Sequence, residues 1–262
     1  MQLADYLAIN VFQFLIVFAR IGVVFTMLPG FSANYVSPRV RLIFALLVTV
    51  LVQPMVASSL PPQPDAPATL VWLIVSEMLM GGFLGTLVQV IMACLELAGQ
   101  LIATATGITN ALTDDPVTQE QSSIVIGLVN MTAVTMIFVT NTDHFMLAAA
   151  IDSYNLLVPG ARMFTRDMMI SIATLLDQAF YMGIKLASPF LVFELVFQVT
   201  SGILARLAPQ LNVFFVVMPG KIALGLAILM VSLPTIILVF LHFMDNSLHG
   251  LLTPLQSAIP AR

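Results

Sequence analysis

The sequence predicts an all-α protein embedded in a membrane or in a membrane-bound assembly, and three observations carry that expectation. Of its 262 residues, 60% are hydrophobic and only 8% charged, with a mean hydropathy of +1.04; soluble domains carry about 25% charged residues. Apolar runs approaching the ~20 residues of a spanning helix recur along the chain. One polar stretch, Gly107 to Ser123 ("GITNALTDDPVTQEQSS"), interrupts them in mid-chain.

The first apolar run covers Tyr6 to Leu28. Met1 to Asp5 carry no basic residue, so this run is expected to stay in the mature protein rather than act as a cleavable signal. Pro29-Gly30 and Pro38 separate it from the second, Leu42 to Leu60, and Pro61, Pro62, Pro64 and Pro67 separate that from the third, Leu70 to Leu95. The fourth, Ile124 to Val139, is short. "TNTDHFMLAAAIDSY" follows, opening on hydroxyl and amide caps, and reads as a short separate helix. The fifth run is Ala179 to Val199, with Pro189 inside it, and the sixth is Val213 to Leu241, interrupted by Pro219-Gly220 and Pro234. Proline inside a helix kinks or breaks it, so the sixth run is expected to be a hairpin of two helices with Lys221 at the hinge. No linker is long enough to split the chain, which gives one domain over residues 1–262, with helices over 1–106, a loop over 107–123 and helices and hairpins over 124–262.

In the third run Glu77, Gly81, Gly85, Gln89, Ala93, Glu96 and Gln100 recur at steps of four, with one of three, and form a polar, small-residue stripe on one long helix. A carboxylate at membrane depth needs a partner or water. The stripe therefore faces another helix or a lumen, and Gly81 and Gly85 permit close helix approach.

The polar stretch holds Asp114, Asp115 and Glu120, no Lys or Arg, and Pro116, which breaks a continuous helix. It cannot lie against lipid, where each unpaired backbone group costs several kcal/mol. Two readings stay open from the residues: a solvated loop between helices, or a re-entrant, plugging loop. Arginine placement does not orient the spans. Arg39, Arg41 and Arg206 fall in odd-numbered connections and Arg162 and Arg166 in an even one.

Several chemistries lack their residues. A net charge of −4 and a pI near 5.1 without a basic patch exclude a nucleic-acid partner. Cys94 is the single cysteine, and His144, His242 and His249 have no HExxH spacing, so no metal or other cofactor is expected. There is no nucleophile elbow or phosphate loop, and Asp114-Asp115 reads as a solvated or capping pair. No enzymatic activity is expected. The 16 methionines serve packing, with the added capacity of flexible thioethers to form a deformable seal.

Four blocks carry a resemblance: "ARIGVVFTMLPGFSANYVSPRVRLIFAL" (Ala19 to Leu46), "EMLMGGFLGTLVQ" (Glu77 to Gln89), "ELAGQLIATATG" (Glu96 to Gly107) and "RLAPQLNVFFVVMPGKIALGL" (Arg206 to Leu226). In order and over nearly the full chain, they resemble the FliR family of flagellar type III export-gate proteins, which has homologues in injection systems. The resemblance implies a single-copy subunit that forms a pore-containing gate with FliP-like and FliQ-like partners and handles unfolded exported proteins. It also implies a fold like a fusion of the two partner folds, in kinked helical hairpins, seated in the bacterial inner membrane at the flagellar basal body and partly raised toward the periplasmic side. The family's loop after the third block plugs the pore. Here that role falls on Gly107, Ile108, Thr109, Asn110, Ala111, Leu112, Thr113, Asp114, Asp115 and Pro116, with Ile108, Ala111 and Leu112 as gasket residues. The stripe with Pro219 is then expected to pack helices and subunits together, and Arg39, Arg41 and Arg206 to meet partners or lipid headgroups. The alternative is a stand-alone secondary transporter with a site at broken helices near Pro189 and Pro219; an internal repeat, the usual sign, is missing.

Overall fold

Proline and glycine set most of the helix ends. In a computed structural model, which describes residues 3–32, 36–108, 124–160, 165–207 and 213–257, the regular elements are all helices. They are α1 (Leu3–Met27), α2 (Pro38–Val56), a 3-10 turn at Ala57–Ser59, α3 (Pro67–Thr106), α4 (Ile124–Val139), α5 (Thr142–Leu156), α6 (Thr165–Leu207) and α7 (Val213–Ser257). Pro38 and Pro67 open α2 and α3, where the missing N–H costs nothing. Ser37 caps α2 by accepting from the Val40 N–H. All six apolar runs and the short separate helix lie on these elements.

The chain forms two compact units, Met1–Val90 with Asn141–Leu175 and Asn246–Arg262, and Ile91–Thr140 with Leu176–Asp245. In the first, α1 and α2 pack as a hairpin. Phe31, in the connection, stacks edge-on against Phe25 of α1 and meets Phe44 of α2, and its carbonyl accepts from Arg41 Nε at 2.8 Å. One stripe of α2 is buried, Ala45, Thr49, Val52 and Val56, while Leu42, Ile43, Leu47, Val50, Leu51 and Met55 stay exposed. The helix thus has one protein-facing and one outward apolar side. In the second unit Val125, Val129, Ala133 and Ile137 give α4 a buried stripe at steps of four. They join Ile91, Leu95, Ala98 and Ile102 of α3, Ala187 and Phe190 of α6 and Ile237 and Phe240 of α7 in the buried core.

The expected hinge in the sixth run is corrected: α7 runs unbroken through Pro219, Gly220 and Pro234, and α6 runs through Pro189. A proline removes one hydrogen bond from a helix. In an apolar setting the remaining ladder has no water to turn to, so continuing the helix leaves fewer groups unpaired than breaking it. The helices α3, α6 and α7 hold 40, 43 and 45 residues. At 1.5 Å per residue they run roughly 60–68 Å, about twice a ~30 Å hydrocarbon core. Among the described residues, four helices are long and apolar enough to span a membrane, and α4 with α5 would make a fifth.

Candidate functional site

Two polar clusters sit inside this apolar architecture, one in each unit. The first is built on Arg20, which lies in the C-terminal half of α1 and is completely buried. Its Nε donates to Glu77 Oε2 of α3 at 2.7 Å, one terminal nitrogen donates to Ser153 Oγ of α5 at 3.1 Å, and the other to the carbonyl of Leu157, just past α5, at 2.8 Å. The guanidinium carbon lies 4.1 Å from the Tyr154 ring centroid, and the Tyr154 hydroxyl donates to the Val17 carbonyl. Glu77 is only 1% exposed. An unpaired ion here would be prohibitive; paired with each other, and with Arg20 also bonded to Ser153 and the Leu157 carbonyl, the two charges tie α1, α3 and α5 together.

From that anchor the first half of the stripe follows α1. A side chain on Gly81 would overlap the Arg20 carbonyl oxygen, and one on Gly85 would stand 2.6 Å from Met27 Cβ. Gln89 donates to the Met27 carbonyl, a helix-end acceptor with no intrahelical partner. The contacts ascend together, from Arg20 to Met27 and from Glu77 to Gln89, so α1 and α3 run parallel along them. Glu96 and Gln100, in the second unit, are exposed, and Ala93 is half-buried. Arg39, Arg206 and Pro219 are exposed as well; Arg41 is half-buried against Phe31.

The second cluster lies where α3 ends. Gly107 has φ +77°, the left-handed cap that glycine adopts without strain, and its N–H bonds the Thr104 carbonyl. Lys221 of α7 passes beside it: a Cβ on Gly107 would stand 3.6 Å from Lys221 Cδ and 3.8 Å from Met218 Sδ. Lys221 Nζ donates to Glu194 Oε1 of α6 at 3.1 Å, and Gln198 donates to the same oxygen at 2.9 Å. Ile108 is half-buried. Thr109, Asn110, Ala111, Leu112, Thr113, Asp114, Asp115 and Pro116 lie outside the described residues.

Sequence reasoning missed Arg20, Ser153, Tyr154 and the Glu194–Lys221 pair. A signal was present for the charges, since a lone Arg, Lys or Glu inside an apolar run has to find a partner. Ser153 and Tyr154 gave none.

A family model described as bacterial export proteins, family 1, matches residues 11–247. The chain is 31% identical over 238 residues to the flagellar biosynthetic protein FliR of Caulobacter vibrioides, covering 89% of this chain and 93% of that relative. The chain belongs to the FliR family. The FliR proteins of Escherichia coli and Bacillus subtilis are 26% and 28% identical, each over at least 86% of both chains. Together with its long apolar helices, FliR family membership makes this a multi-pass membrane protein of the bacterial export class.

Proposed function

We propose that this chain is a structural, non-enzymatic subunit of a flagellar protein-export apparatus, acting in flagellum assembly. One copy combines with FliP-like and FliQ-like partners into a pore for unfolded proteins in the bacterial inner membrane, its fold resembling a fusion of theirs. The observation that carries the reading is the family match over residues 11–247. Helices twice the bilayer thickness, with large outward apolar faces, support it: such a chain needs neighbours over much of its length. They also agree with part of the assembled subunit being raised toward the periplasm.

Within that pore, residues 107–123 act as the plug, with Ile108, Ala111 and Leu112 as the seal, and energy for transport comes from other components. Gly107, in a left-handed conformation, ends α3 at the start of that segment. The transporter alternative relied on broken helices near Pro189 and Pro219, and the continuity of α6 and α7 argues against it.

Deleting Asn110 to Val117 tests the gate. Complexes of normal composition with an increased resting ion leak are expected; an unchanged leak with intact complexes rejects the gating role.

A further inference from the structure

The Glu194–Lys221 pair has no place in the plug reading as stated, yet it stands at the root of the segment that reading uses. Three contacts bind the end of α3 to α7. Thr106 is fully buried, and a Cβ on Gly225 would stand 2.6 Å from Thr106 Cγ2. One turn earlier on α7, Lys221 lies along Gly107, and Met218 completes the same face. The stem of Lys221 packs on the cap of α3 while its ammonium reaches Glu194 on α6, the two side chains being 14% and 24% exposed.

Residue spacing makes this a junction of three helices. α3 contributes its last residue and its cap, α7 the face Met218–Lys221–Gly225, and α6 the pair Glu194 and Gln198, one turn apart and joined through Glu194 Oε1. Apolar packing alone holds two smooth helices with little preference for their sliding position. An ion pair between α6 and α7 adds a preference for one slide and rotation, because the attraction weakens as the charges separate.

We infer that Lys221, held by Glu194, is a positioning residue of the gate: it pins the C-terminal cap of α3 to α6 and α7 and thereby sets the resting conductance of the pore. This rests on the gating reading above and adds to it the residues that keep the gate at rest. In that reading the pair is a restraint that an entering polypeptide works against.

The test uses the complete export complex in membranes, with E194Q, K221M, the exchange E194K/K221E, and the deletion of Asn110 to Val117 side by side. Three readouts apply: particle mass, resting ion leak, and the rate at which a water-soluble thiol reagent labels Ile108→Cys in a Cys94→Ala background. Both single variants are expected to assemble, to leak several-fold more than the parent and to label several-fold faster at position 108, with the exchange returning both toward the parent. Intact particles of the single variants with parental leak and labelling overturn the inference while the gating reading stands, provided the deletion leaks. A deletion that does not leak overturns the gating reading and this inference with it. If the single variants fail to assemble, the exchange decides: an assembled exchange that leaks overturns the inference, as does failure of all three variants to assemble, which marks the pair as architectural only.

Discussion

Arg20 and Glu77 share one hydrogen bond, and the rest of the guanidinium is consumed by Ser153, the Leu157 carbonyl and the Tyr154 face. Removing either charge alone leaves the other buried without its counter-ion, Arg20 keeping only the neutral partners Ser153, the Leu157 carbonyl and Tyr154. Arg20→Met or Glu77→Gln is therefore expected to destabilise the chain by about 3–5 kcal/mol, and the double replacement Arg20→Met with Glu77→Leu by much less. A double-mutant cycle on the detergent-purified chain reads this directly. Glycines give a second contrast. Gly81→Ala drives a methyl into the Arg20 backbone and should cost about 1–3 kcal/mol. Gly127, which nothing approaches within 4 Å, should accept alanine with a gain of up to ~1 kcal/mol from helix propensity. Equal midpoints for the two variants would contradict the close packing of α1 on α3.

Helices themselves were largely legible, and the reason is periodicity. Seven positions of α3 spaced by fours and one three announced a single long helix with a special face, and "TNTDHF" announced α5, which begins at Thr142, although Asn141 at its N-cap makes no side-chain capping bond. What a single sequence could not supply was the partner of each face. Arg20 and Glu77 are 57 positions apart, and nothing local distinguishes that pairing from a pairing with a lumen or another subunit. The reading of α7 as a hairpin failed for a different reason. Pro219-Gly220 is a strong breaker in water, where freed backbone groups are solvated, and a weak one in an apolar environment. The stripe also divides: Glu77 to Gln89 serve α1, while Glu96 and Gln100 are exposed. Glu96→Gln is thus expected to leave the thermal midpoint of the isolated chain unchanged and to lower the yield of the assembled particle. A fall in the midpoint of the isolated chain equal to that of Glu77→Gln would show that both halves do the same work.

At the scale of the whole molecule the decisive quantity is how little of some helices the chain covers itself. Half of the most apolar window of α3 is buried, against 28% for α7, 22% for α2 and 6% for α6. Val192, Leu195, Val196, Val199 and Ile203 of α6 are all more than half exposed, and polar neighbours such as Lys185 and Gln198 are exposed too. Lipid suits the first set and not the second: a lysine at mid-bilayer costs about 2.5–3.5 kcal/mol on insertion scales. Partner helices suit both, because a facing polar group or a bound water satisfies the charge while apolar ridges interdigitate. Photo-reactive side chains placed singly from Val192 to Ile203 separate the two environments. In the assembled apparatus, cross-links to a second polypeptide are expected at spacings of three and four residues, with lipid adducts at the positions between. In the chain expressed alone, lipid adducts are expected at every position. Lipid adducts at every position in the assembled state as well would place α6 in the bilayer by itself, and Lys185 and Gln198 would then have to reach the headgroup layer, a demand that the position of Gln198 beside the Glu194–Lys221 junction makes hard to meet.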